Sequence, residues 1–261
     1  MSGNKECLEF VSKELLGKKV AASIKVLYDE NDNTPLHMDA LADDIEFSQY
    51  IIENIVKPTI RDVVPLFNTN SQGLIPLHLA AMSLNAELIE CFMTDNHYPY
   101  NKKMLNVVSK SGRTALHYLV TSDNDFEKTI NEDFKQGQFL KKLVLEKRKQ
   151  NEHLSEKAIK ALFYLIISTG EKTVNKKINF NIKDNVKKTA LGYAFKHGDT
   201  NILRLFLDFF YEIRENKKRK YDKLNMEDQE RSKKLIDYHN LAISISSVII
   251  SVCVKHNNAE S

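Results

Sequence analysis

Apolar residues along this chain gather in short clusters at helical spacing, divided by brief polar turns. The clearest read "LHMDALA" (36–42), "LHLAAMS" (77–83), "LHYLVTS" (116–122) and "LGYAFKHGD" (191–199). A second amphipathic segment trails three of them: "NAELIECFM" (85–93), "EKAIKALFYLIIS" (156–168) and "TNILRLFLDFF" (200–210). Their apolar positions recur at intervals of three and four, the period of a helix with one buried face. Only 8 Gly and 5 Pro punctuate the chain, too few for a sandwich or barrel of short strands. The pattern predicts an all-α fold.

Each leading cluster starts with a related tetrapeptide: "TPLH" at 34–37, "IPLH" at 75–78, "TALH" at 114–117 and "TALG" at 189–192. The first three begin 41 and 39 residues apart, and the fourth lies 75 residues after the third. Gly73 and Gly112 stand two residues before the motif, with Asp32 and Lys187 at the same place in the outer copies. Asp29, Asn70, Ser109 and Asp184, all short polar turn-formers, stand five residues before it. Threonine suits a helix N-cap, and Pro35 and Pro76 suit the first helical position, where no backbone donor is missed. Leu36, Leu77, Leu116 and Leu191 are expected to face a seam between neighbouring units, because one such unit cannot bury its own apolar face.

This pattern resembles the ankyrin repeat over residues 29–212, in four copies: 29–69, 70–108, 109–183 and 184–212. The resemblance implies a solenoid of turn, inner helix and outer helix. It also implies that His37, His78 and His117 hydrogen-bond the turn of their own or a neighbouring unit rather than act as catalysts or ligands. Gly192 at the fourth position fits that reading, since a shared catalytic role would not drop one histidine. The spacings exceed the usual ~33 residues. Residues 94–108 lengthen one link, and residues 122–154 form a larger insertion. Within it Phe126, Ile130 and Phe134, then Phe139, Leu140, Leu143 and Val144, make two helical stripes. The insertion is expected on the side away from the turn fingers; a fifth, degenerate repeat near 150–180 is the alternative. Residues 1–28 are expected to be an N-terminal helical cap, 213–225 a basic linker and 226–261 a C-terminal capping helix, as solenoid ends require.

Charge and candidate chemistry narrow the function. A net charge of +3 is too small to point to nucleic acid. Cys7, Cys91 and Cys253 make neither a disulfide framework nor a zinc site and suit a reducing, cytoplasmic compartment. The N-terminus carries charge where a Sec signal would need an apolar core, and the most apolar segment, 241–254, is short of a membrane span. There is no Gly-rich phosphate loop, no "HExxH" and no metal-spaced Cys/His cluster, so no cofactor or metal is expected. Cys91 with His97 lacks the orienting group and oxyanion site a nucleophile needs, and Cys91 lies in an apolar stripe. Lys217, Lys218, Arg219 and Lys220 read first as a solvated linker and alternatively as a nuclear localisation patch.

The resemblance therefore implies a non-enzymatic protein-binding module, a monomer that uses its turn fingers and the concave face of its inner helices. Position by position, the fingers supply Asn31, Asp32, Ser71, Gln72, Lys110, Ser111, Arg113, Asn185 and Lys187. The inner helices supply Met38, Asp39, Met82, Ser83, Tyr118, Thr121, Tyr193 and Lys196. Tyr118, Tyr193 and Arg113 are the strongest contact candidates, being large side chains with polar handles. The composition, worn repeats and private insertion resemble bacterial or parasite ankyrin proteins, which implies an effector translocated into a host cell to bind a host protein. The alternatives are an enzyme with a site in the insertion and C-terminal region, and a nucleus-directed factor using 217–220.

Overall fold

A computed structural model describes residues 28–41, 45–51, 68–94, 104–134, 138–149, 154–167 and 178–209. The terminal caps, the linker and the basic run Lys217 to Lys220 lie outside the described residues, as does His97. Among the described residues every regular element is a helix, and an isolated bridge pairs Lys183 with Thr189. None of these helices is long and apolar enough to cross a membrane.

Each tetrapeptide starts a short helix: α1 (Pro35–Asp39), α3 (Pro76–Met82), α5 (Ala115–Leu119) and α9 (Ala190–His197). The residue before each helix is extended, as an N-cap must be. In the first three copies the histidine at the third helical position does the capping. Its Nδ1 accepts the backbone N–H of Thr34, Ile75 or Thr114 at 3.1, 3.0 and 3.2 Å. An Nδ1 that accepts is unprotonated, so Nε2 carries the hydrogen and donates to a backbone carbonyl further along the chain. The acceptors are the carbonyls of Leu74 at 2.8 Å, Val107 at 3.1 Å and Lys188 at 3.3 Å. Each imidazole thus caps its own helix, and those of His37 and His117 also stitch two units together. In the fourth copy Gly192 cannot do this, and Thr189 Oγ1 accepts the Gly192 N–H instead.

Four turns precede these helices and lie side by side. Inside each, the short polar residue accepts the N–H four residues on: Asn33 to Asp29, Leu74 to Asn70, Arg113 to Ser109, Lys188 to Asp184. Between turns, Ser71 N–H donates to Asn31 O, Lys110 N–H to Gln72 O and Asn185 N–H to Ser111 O. This spacing explains the two inner glycines. Gly112 has φ +78°, and a Cβ there would stand 2.9 Å from Asn185 Oδ1 and 3.1 Å from Asn185 N. Gly112→Ala should therefore cost about 2 kcal/mol, from left-handed strain plus the push on the neighbouring turn. Lys187, already at φ 64°, should gain from replacement by Gly. Urea midpoints moving in opposite directions for the two variants would bear this out, and an unchanged midpoint for Gly112→Ala would refute it.

The inner helices touch in chain order, α1 to α3 to α5 to α9, and α2 (Ile45–Ile51), α4 (Ala86–Thr94) and α8 (Leu154–Ile167) form a second row behind them. Leucines of the seam close the contact: Leu36, Leu77 and Leu116 are buried and Leu191 half-buried. Cys91 is half-buried on α4 against this core. A last helix, 200–209, buries Ile202, Leu203, Phe206 and Phe209.

The insertion departs from expectation. Of its helices α6 (Asp123–Asp133) and α7 (Gln138–Lys149), α7 lies at the C-terminal ends of the inner helices, as expected, but α6 does not lie away from the turns. α6 reaches the third and fourth turns through Arg113, and α7 packs on α3 and reaches the C-terminal ends of α3 and α5 through Arg148. The physical reason is that Arg113 of the third turn bonds α6 at Thr129, Glu132 and Asp133, while Arg148 of α7 bonds carbonyls at the ends of α3 and α5.

Candidate functional site

The third turn, helix α5 and the insertion meet in one polar cluster. Arg113 is 2% exposed at its centre. Its Nε donates to Asp184 Oδ2 of the fourth turn at 3.3 Å. Nη1 donates to the Thr129 carbonyl at 3.0 Å and to Asp133 Oδ2 at 3.3 Å, and Nη2 to Glu132 Oε2 at 2.5 Å. Tyr118 donates its hydroxyl to Ser109 Oγ at 2.8 Å, and Ser109 donates to Asp133 Oδ1 at 3.3 Å. Burial, together with the Asp133 charge, pushes the Tyr118 phenol well above its ordinary range. Tyr193 donates to Asp184 Oδ2 at 2.6 Å, and its phenol is pushed up to about 12 by burial and by that carboxylate. Burial also raises Asp133, against the pull of the Ser111 hydrogen bond and the Arg113 charge.

A second arginine works in the opposite direction, from insertion to repeats. Arg148 is buried on α7, and its Nη2 donates to the Thr121 carbonyl at 2.6 Å. Nη1 lies 3.4 Å from the carbonyls of both Met82 and Tyr118. Nε donates to Asp123 Oδ1 at 2.8 Å, and the guanidinium sits 3.9 Å above the Phe126 ring. These carbonyls lie at or just past the C-terminal ends of α3 and α5, where a short helix leaves acceptors without intrahelical partners. Arg148 is their cap.

The structure sorts the expected contact residues into two groups. Asp32, Lys110, Asn185, Lys187 and Lys196 are exposed, and Asn31, Met38 and Ser71 are half-buried. Asp39, Gln72, Met82, Ser83, Ser111, Arg113, Tyr118, Thr121 and Tyr193 are buried. The three strongest candidates are thus corrected: Tyr118, Tyr193 and Arg113 are not open contact residues. Arg113, on the third turn, is enclosed by α6 and the fourth turn, and the polar atoms of all three are already bonded within the chain. Sequence reasoning missed Asp133 and Arg148. The available signal was a charge on an apolar stripe: Asp133 follows Phe126 by two helical turns, and Arg148 extends Leu140 and Val144.

Between α6, the fourth turn and α9 an open cleft of about 200 Å³ remains, walled by Arg113, Asp125, Lys128, Glu132, Lys188 and Lys196. Lys196 pairs with Asp125 across it, and that bond, against the cost of burial, holds the Asp125 carboxyl below its usual range. No group of three His, Cys, Asp or Glu among the described residues is placed to hold a metal.

No family model matches the chain. Over 197 residues, 72% of its length, it is 23% identical to the human transient receptor potential cation channel subfamily A member 1, a protein that contains ankyrin repeats. The match spans 16% of that channel's own length. At this identity the likeness supports a coarse statement, that the chain is distantly similar to a repeat-containing protein.

Proposed function

We propose that the chain is a non-enzymatic protein-interaction module of ankyrin type, docking a partner along its turn tips. One observation carries the reading. The turns are laddered to one another by single backbone hydrogen bonds, and they hold exposed Asp32, Lys110, Asn185 and Lys187 in register along one edge. A rigid row of charged and amide side chains, without the entropy cost of ordering a loop, is what a contact surface needs. The stacked turn–helix–helix units and the repeat-containing relative support the same conclusion.

A photo-crosslinker at Ser71, between the first and third tips, should capture the partner. The double variant Asp32→Lys/Lys110→Glu should reduce capture by about tenfold while leaving the helical signal intact, because rim charges govern encounter and register. Equal capture by the variant would overturn the reading. The narrower effector role requires that the captured protein come from a eukaryotic host; capture solely from the producing cell's own lysate would remove it.

A further inference from the structure

Helix α6 bears on the third turn and on α9 through its acidic side chains. Its sequence "DNDFEKTINED" carries five carboxylates and one lysine, and it buries Phe126, Thr129, Ile130 and Asp133 along one side. The surface beneath it has the opposite charge. Arg113 takes Glu132 and Asp133, and Lys196 takes Asp125 with the Lys188 charge close by. The receptor side is set independently of this occupant. Asp184, from the fourth turn, holds Arg113 by its Nε, which leaves the Nη1 and Nη2 edge directed at α6. A guanidinium oriented by one carboxylate and presenting two donors to another is pre-organised for an acidic side chain.

We propose that the face formed by the third and fourth units is a receptor groove for an acidic amphipathic helix, filled in cis by α6 and open in trans to a partner helix of the same chemistry. The partner's required features follow from α6: an aromatic residue, an aliphatic one four residues on, and a pair of carboxylates within the next turn. Docking on a groove by apolar positions one turn apart is a common mode of helix recognition. Here the chain's own helix sets the threshold, since a tethered segment acts at an effective concentration on the order of millimolar. A partner therefore competes with α6, and its apparent affinity falls by the fraction of time the groove is closed. This surface is separate from the exposed turn tips, so the two readings can fail independently.

The test is a titration of a labelled synthetic peptide of residues 122–134 onto the full-length chain, followed by fluorescence anisotropy. The wild-type chain should show weak binding, with α6 in place. The Glu132→Gln/Asp133→Asn chain, whose own helix has lost both carboxylates facing Arg113, should bind the peptide about tenfold more tightly. Adding Lys188→Glu/Lys196→Glu to it should remove the gain. The turn-tip variant Asp32→Lys/Lys110→Glu should titrate like wild type. Equal binding to the wild-type and Glu132→Gln/Asp133→Asn chains, or a gain that survives reversal of the lysines, would overturn the proposal. So would dimerisation of the Glu132→Gln/Asp133→Asn chain, since a second copy would then be the occupant. Should that variant not fold, hydrogen exchange on the wild-type chain decides. A large peptide excess should speed exchange at residues 126–133, and unaltered exchange would overturn the proposal.

Discussion

Arg113→Ala is expected to cost about 3–5 kcal/mol of folding stability, the range for removing one partner of a buried ionic cluster. The reason is what the substitution leaves behind. Asp133 and Asp184 have side chains 0% exposed, and both depend on this guanidinium as their cation. Glu132, 45% exposed, can return to water, so its share of the loss is small. Arg113→Lys should recover little, because an ammonium cannot reach the Thr129 carbonyl and three carboxylates from one position. Combining Arg113→Met with Asp133→Asn and Asp184→Asn should recover most of the loss by removing the stranded charges together. Urea unfolding followed by circular dichroism measures all of these. A loss under about 1 kcal/mol for Arg113→Ala would show that the cluster is effectively solvated.

The second large effect is acid sensitivity. His37 and His78 are held down to about 4, from an ordinary 6.5, chiefly by burial. The Leu74 and Val107 carbonyls oppose the shift, as does Asp29 beside His37. Burial lowers His117 as well, opposed by the Lys188 carbonyl and Asp184. Between pH 6.5 and about 4 the unfolded chain binds protons at these positions and the folded chain does not. Stability is therefore complete above pH 6.5 and is lost as the pH falls toward 4, by about 3 kcal/mol for each of His37 and His78. Protonation also removes the Nδ1 lone pair that caps the helix, so the charge and the lost hydrogen bond act together. Urea midpoints at several pH values across the window should fall steeply, and His78→Asn should flatten the slope. A flat profile above pH 5 would show that these imidazoles titrate as solvated groups.

Much of the repeat architecture was legible because it rests on local rules. The tetrapeptides mark where α1, α3, α5 and α9 begin, since N-capping and the first-position proline are decided within four residues. Gly112, two residues before the motif, sits at φ +78° for an equally local reason. The histidine pattern was informative too: three copies in register pointed to structure rather than catalysis, and each imidazole proved to bond its own cap and a carbonyl further along the chain. The candidate surface was less legible. Tyr118 occupies an inner-helix position that the resemblance implied to be open, and nothing in "SGRTALHYLV" shows that a helix beginning at Asp123 brings Asp133 back beside it.

By itself, then, the sequence determined the helices, their caps and the order in which units stack, because hydrogen-bonding chemistry within a few residues decides these. Only the tertiary structure decided which face stays open. That choice depends on Arg113 meeting Asp133 and Asp184, and on Arg148 meeting the ends of α3 and α5, at separations of 20 to 71 residues along the chain. Such pairings are set by the geometry of the assembled stack, which no local pattern encodes.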